Sequence, residues 1–320
     1  LTICALALLI EAAIGYPQNV FRAVGHPVTW MGAMLSLLDT RLNRDADSPA
    51  SRRAWGAVAL GILLTIAGFV AVTLQAAAFA TCPRGVALIF VAMLASPCLA
   101  QRSLETHVRA VADALDREGL QAARRAVGAI VGRDTAFLDE PGVARAAIES
   151  LAENFADGVV APAVWLAVLG LPGAALYKAV NTADSMIGHR TPRHAAFGFC
   201  AAKLDDVVNW PAARFAAVCL VVAALLSGAA WRDAWRVMWR DSGGHASPNA
   251  GWPEAAMAGA LGIRLGGPRI YAGQTVMDGF IGNGSGPLDG RAIRRALRLY
   301  RVACGVEIAL VVGLALILAR

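Results

Sequence analysis

The stretch "ARAAIESLAENFADGVVAPAVWLAVLGLPG", residues 144–173, sets Glu149, Glu153 and Asp157 four residues apart and runs at once into an apolar segment. Positions i, i+4 and i+8 share one face of an α-helix. Pro141 suits the first helical turn, with Asp139 and Glu140 at its start. One reading of this face is a solvated surface with a single Arg145–Glu149 pair, worth about 0.2–0.5 kcal/mol. The other places a cation among the three carboxylates, either Mg²⁺ or a substrate amine, because oxygen ligands suit hard cations and the acids repel one another. Spacing alone leaves both open.

The apolar run that follows fits the whole chain. Of 320 residues, 57% are hydrophobic and 16% charged, and the mean hydropathy is +0.55, too little charge to cover a soluble domain of this length. Net charge is +6, nearly all of its basic side arginine in loops between apolar runs. That is the pattern of positive-inside loops and lipid headgroups rather than of a nucleic-acid partner. Spanning segments are expected at 1–15, 55–80, 85–101, 212–230 and 303–319. Residues 158–176 form a sixth candidate that Pro162 and Leu171-Pro172-Gly173 interrupt, as in re-entrant or cavity-lining segments. The N-terminus "LTICALALLIEAAIG" lacks a basic leader and an A-x-A cleavage site and reads as a membrane helix rather than a signal peptide. Cys4, Cys82, Cys98, Cys200, Cys219 and Cys304 form no CxxC pair and read as buried free thiols.

Between the apolar runs, residues 102–131 show helical spacing with a break at Gly119, predicting two amphipathic helices outside the bilayer. "WRDAWRVMWR" puts Trp231, Trp235 and Trp239 on one face beside Arg232, Arg236 and Arg240, the chemistry of a membrane–water anchor. The fold class expected is all-α: a polytopic integral membrane protein with about five or six membrane helices, one of them a re-entrant candidate. Amphipathic helices and ordered polar loops complete a single domain over residues 1–320.

Polar residues gather in two further blocks. Lys178, Asn181 and Asp184/Ser185 share a helical face, where the lysine either snorkels to the interface or binds phosphate. Asp205 and Asp206 precede Asn209 just before a spanning run, a costly place for acids. His189 and His194 are too isolated to argue for a metal. The Gly/Pro-rich loop from 243 to 273 carries His245, Ser247, Asn249, Trp252 and Glu254, with a short helix expected from Pro253 and a turn at Gly266-Gly267-Pro268. Upstream, "GHPVTWMG" offers His26 between turn signals. Phosphate-binding G-x-x-x-x-G-K-[ST], H-E-x-x-H and G-x-S-x-G motifs are all missing, and "GNGSGP" at 282–287 lacks the lysine.

Five blocks in order resemble the CobD/CbiB family of adenosylcobinamide-phosphate synthases: "GHPVTWMG" (25–32), "GRDTAFLDEPGVARAAIESLAENFADGVVAP" (132–162), "YKAVNTADSMIGHR" (177–190), "FGFCAAKLDDVVNWPAAR" (197–214) and "HASPNAGWPEAAMAGALGIRLGG" (245–267). They cover most of the chain between the first and last helices. The family commonly opens with an acid followed by Leu-Gly-Asp-Pro. Here the region reads "IEAAIGYPQNV", with Glu11 in place of the acid and Tyr16 where the second Asp stands, so no role is carried onto that position.

The resemblance implies a C–N ligase of late cobalamin biosynthesis in the bacterial inner membrane. It would join adenosylcobyric acid, a corrinoid, to aminopropanol or its O-phosphate. Amide formation from a free carboxylate is uphill in water, so an ATP-derived acyl phosphate is the expected route, with Mg²⁺. Fitted to that chemistry, Glu149, Glu153, Asp157, Lys178 and His26 are the catalytic candidates. Asn154, Asn181, His245, Ser247, Asn249, Trp252 and Glu254 would bind substrate. Glu153, Asp157, Asp184, Asp205 and Asp206 would ligate the metal. Expected partners are the substrates, the lipid bilayer and other cobamide-assembly enzymes. Cytosolic ATP and the arginine-rich blocks at 16–54 and 102–157 favour a site facing the cytosol. A transporter would also use Gly/Pro-broken segments, but it predicts repeated halves that the sequence lacks. A non-catalytic scaffold leaves the carboxylates without a role.

Overall fold

The computed structural model describes residues 1–189, 191–267, 269–271, 274–276 and 279–318. Arg190, Pro268 of the expected turn and residue 319 of the expected last span lie outside these. The first helices are α1 (Thr2–Ile14), α2 (Gln18–Val24), α3 (Pro27–Leu42), α4 (Pro49–Thr81) and α5 (Arg84–Ala95). Then come α6 (Gln101–Arg117), α7 (Leu120–Gly128), α8 (Glu140–Phe155), α9 (Ala161–Leu169) and α10 (Leu171–Ile187). The last are α11 (Phe199–Leu226), α12 (Trp231–Asp241), α13 (Gly251–Leu261) and α14 (Gly290–Leu318). Four short strands make two antiparallel pairs, β1 (Leu265–Gly266) with β4 (Phe280–Ile281) and β2 (Arg269–Tyr271) with β3 (Gln274–Val276).

Local chemistry sets several helix starts. Asp139 caps α8 by accepting the Gly142 N–H at 2.8 Å, with Pro141 in the first turn, as the sequence predicts. Ser48 caps α4 ahead of Pro49. Gly119, at φ 88°, separates the amphipathic α6 and α7 at the expected break.

Five helical stretches are long and apolar enough to cross a membrane: Pro49–Thr81, Arg84–Arg117, Glu140–Leu169, Phe199–Leu226 and Gly290–Leu318. The all-α, multi-pass expectation holds, but several of its boundaries change. The candidate at 158–176 is no segment of its own. Its apolar part continues α8 through a π-helical turn, Ala156–Val160, into α9, and the break falls at Gly170, at φ 70°. The expected first span, 1–15, is only 13 residues of helix, about 20 Å, short of a hydrocarbon core of about 30 Å. It bends by 106° into Gln18–Leu42, so the broken or re-entrant element lies here. Asp205 and Asp206 do not precede a helix. They lie inside α11, which starts at Phe199 and carries Pro211 within it.

The chain divides into two compact units. The first comprises residues 1–100, 161–209 and 311–320. Its core packs Leu35 of α3, Leu60 and Leu63 of α4, Ala179, Ala183 and Ile187 of α10, and Phe197. Gly56 lets α4 come close to that core, since a Cβ there would sit 1.8 Å from the Phe197 carbonyl oxygen. The outer face of α4 shows Ile66, Phe69, Val70 and Leu74, with Phe69 72% exposed, an apolar stripe that suits lipid.

The second unit comprises residues 101–160 and 210–310. At its centre α8 and α13 are buried along nearly their whole length. Gly259 of α13 sits against α12, where a Cβ would lie 2.5 Å from the Asp233 carbonyl oxygen. Tyr300 of α14 packs edge-on against Phe155, centroids 5.6 Å apart, and donates its hydroxyl proton to the Gln101 carbonyl at 2.9 Å. Trp231, Trp235 and Trp239 form the expected exposed stripe along α12.

Candidate functional site

A cleft of about 110 Å³ in the second unit is lined by Ile130–Arg133, Ala146, Glu149, Ser150, Glu153 and Glu254. Glu149 is buried and held at both oxygens. Arg133 donates to Oε2 at 2.7 Å, and the Gly266 N–H donates to Oε1 at 2.7 Å. The pair the sequence suggested was Arg145–Glu149. The charge partner found is Arg133, sixteen residues upstream on the loop before α8. Ser150 donates its hydroxyl proton to the Ile130 carbonyl at 2.8 Å, fixing that loop to α8.

Glu153 also faces the cleft and is half-buried. Asp157 does not join the lining, because it lies in the π turn, where the i, i+4 progression of α8 ends. Asn154, expected to bind substrate, turns its amide back on its own helix, donating to the Ser150 carbonyl at 2.9 Å and hydroxyl at 3.2 Å.

The opposite wall comes from α13 and the loop before it. Glu254 is buried, and its Oε1 stands 3.7 Å from His245 Nε2. His245 Nδ1 accepts the Ser247 N–H at 2.9 Å, which puts the proton of a neutral ring on Nε2, facing the carboxylate. The Ser247 hydroxyl in turn accepts the Asn249 N–H at 3.2 Å. The Asn249 side chain accepts from Arg214 at 2.8 Å. That guanidinium lies over two rings, Trp210 at 4.6 Å and Trp252 at 4.7 Å. Ser247, Asn249 and Trp252 thus order the loop that carries His245. Arg133 and Arg214 lie within the blocks quoted above, but no spacing rule pairs Arg133 with an acid sixteen residues away or Arg214 with an asparagine thirty-five residues away.

The remaining predicted residues form a separate network in the first unit. Tyr177 donates to Asn209 Oδ1 at 2.8 Å, and Asn209 donates to Asp205 Oδ2 at 2.9 Å. Lys178 reaches Asn181 Oδ1 at 3.4 Å, and its charge also bears on His26. Burial raises the Asp184 carboxyl above its usual range; His189 opposes that shift and Asp206 adds to it. Asp206 pairs with Lys203 at 3.1 Å. His26 caps α3, its Nδ1 accepting the Val28 N–H at 3.2 Å, with its ring against Tyr16.

Among the described residues, no three His, Cys, Asp or Glu side chains are grouped to hold a metal ion. Asp184 and Asp205 lie close enough for their charges to oppose one another, and the buried Asp205 Oδ1 has no hydrogen-bond partner among the described residues. Two carboxylates suit a magnesium ion that completes its shell with substrate phosphate and water.

Amphipathic helices, an exposed Trp stripe and five membrane-length helical stretches with polar clusters define a multi-pass α-helical membrane protein. A family described as "CobD/Cbib protein" matches residues 4–300, and the chain belongs to that family. It is 46% identical over 320 residues to the cobalamin biosynthesis protein CobD of Sinorhizobium sp, covering 99% of this chain and 98% of the relative. It is 45% identical to the protein of the same name from Rhodobacter capsulatus, covering 98% of this chain and 96% of that relative. The Brucella suis biovar 1 relative of that name is 44% identical, covering 99% and 97%. No solved structure matches. The chain is thereby a protein of cobalamin biosynthesis.

Proposed function

We propose that the chain forms the amide bond between the carboxylate of adenosylcobyric acid and the amine of aminopropanol or its O-phosphate, driven by ATP. The observation that carries this reading is the cleft between α8 and α13, where Glu153 and Glu254 face a small polar space beside a neutralised Glu149–Arg133 pair. An alkylammonium entering it meets carboxylates on two sides. Glu153, the half-buried acid of the cleft, first takes one ammonium proton, which frees the nitrogen lone pair for attack. The C–N bond forms at the acyl carbon as its bond to the phosphate oxygen breaks, and the second nitrogen proton leaves with the departing phosphate. Glu254, oriented by His245, holds the amine and does not exchange the proton.

Activation of the carboxylate needs positive charge beside phosphate. In the first unit, Lys178, 3.4 Å from Asn181 Oδ1, carries the charge to bind phosphate. Asp184 and Asp205 would hold Mg²⁺, which supplies further neutralisation of phosphate charge when bound. Residues of the 245–254 loop receive the corrinoid amides. The reading sets the protein in the bacterial inner membrane with its site toward cytosolic ATP.

The test is turnover by the full chain in lipid nanodiscs with adenosylcobyric acid, Mg²⁺-ATP and either amine, the product followed by mass. Amide product with wild type and its loss in Glu153→Gln support the reading. No product with either amine overturns it.

A further inference from the structure

A second cavity in the same unit, about 670 Å³, has no part in the chemistry above. Among the described residues, six arginines line it: Arg109 of α6 and Arg291, Arg294, Arg295, Arg298 and Arg301 of α14. Asp289 is the one acid in that described lining. Three of the arginines have acidic partners. Arg294 bonds Asp113 at 2.8 Å and Asp116 at 2.7 Å, while Arg301 and Arg109 share Glu105. Arg295 reaches the Leu261 carbonyl, at 3.4 Å. Among the described residues, the side chains of Arg291 and Arg298 have neither a hydrogen bond nor an ion pair. They stand seven residues, two turns, apart on one face of α14.

Arg109, Arg291, Arg298 and Arg301 are exposed, so the hollow is a basic groove open to solvent. Six arginines line that one groove, and the acids around them pair with three and leave the guanidinium groups of Arg291 and Arg298 to spare. The first turn of α14 adds its own partial positive charge. The hollow is too large for a lone inorganic ion and suits an anion that carries an organic group. The apolar half of α14 begins at Val302, one residue after Arg301, so the cavity lies where lipid phosphates and soluble phosphate esters are both within reach. Guanidinium forks match phosphate oxygens in pairs.

We infer that this arginine cavity is a binding site for a phosphate ester, with Arg291 and Arg298 as its unneutralised anchors. The inference does not rest on the amide-forming reading and reads binding alone.

The experiment uses the full chain, delipidated in neutral detergent, with two probes. Phosphatidylglycerol is counted by native mass spectrometry against phosphatidylcholine. Trinitrophenyl-ATP is titrated by fluorescence. Wild type should retain at least one probe, and Arg291→Gln/Arg298→Gln should weaken that probe roughly tenfold or more. Which probe responds separates a headgroup site from a soluble-ester site. Arg291→Lys/Arg298→Lys should recover part of the binding if the fold is intact. Arg117→Gln/Arg125→Gln removes equal charge outside the described lining and should change nothing. Binding of neither probe by wild type, unchanged binding in the Arg291/Arg298 variant, or an equal loss in the Arg117/Arg125 control overturns the inference.

Discussion

Arg133 and Glu149 form an ion pair at 2.7 Å in which only 9% and 6% of the two side chains are exposed, and the second oxygen of Glu149 holds the Gly266 N–H. One carboxylate therefore ties the loop before α8 to the strand after α13. Removing a single partner of a buried pair leaves the other charge uncompensated, at a cost of about 3–5 kcal/mol. Arg133→Met should lower unfolding stability in detergent by that order. Arg133→Met/Glu149→Met should recover much of the loss, as a thermal melt of the three proteins would register.

Glu153 lies one turn on, half-buried at the cleft rather than enclosed like Glu149. Under the proposed reaction, Glu153→Gln should slow amide formation by about 10²-fold or more while leaving the melting temperature within a few degrees. A variant as fast as wild type would remove Glu153 from the chemistry. A large drop in melting temperature would make it structural, like Glu149.

Arg214 binds the Asn249 side chain and the Pro248 carbonyl while lying between Trp210 and Trp252. Lysine keeps the charge but loses the planar fork. Arg214→Lys should therefore destabilise the 245–254 loop by about 1–2 kcal/mol. Faster amide exchange at residues 246–252, with α8 unchanged, is the expected signature.

Asp241 accepts two bonds from Arg240 and the Gly282 N–H at 2.7 Å, and the Arg240 bonds come first in holding its carboxyl below the usual range. A depressed folded value stabilises the protein above the unfolded value of about 3.9. That contribution fades as pH falls through the folded value. Asp241→Asn should melt lower than wild type at pH 7, and the gap should close in acid. A gap independent of pH would mean that the carboxylate charge contributes nothing.

The helix starts at Asp139-Glu140-Pro141, the break at Gly119 and the Trp stripe of α12 were all legible in sequence, because each depends on neighbours within a turn or two. The boundary of the 158–176 segment was not. Proline and glycine mark a break there, yet Pro162 is absorbed into α9 just past the π turn, and only Gly170, with positive φ, ends the helix. At the site, the acidic face of α8 was legible as a pattern, while the role of each acid was not. Glu149 is set apart from Glu153 by the partners that Arg133 and Gly266 bring to it, which no local spacing encodes. Lys178, Asn181 and Asp184 were visible as one face of α10. Their tie to Asp205 needed α11 to begin at Phe199, thirteen residues before the expected span.

α13 carries a single charge, Glu254, in an eleven-residue apolar helix, six of whose residues are alanine or glycine and of which only Trp252 keeps appreciable exposure. Alanine and glycine have few side-chain states to lose, and Gly259 allows no slack against α12. Such a helix behaves as a peg without adjustable parts. The direction in which Glu254 points is set once, when the chain folds, and a ligand entering the cleft meets a dipole field that needs no rearrangement to receive it.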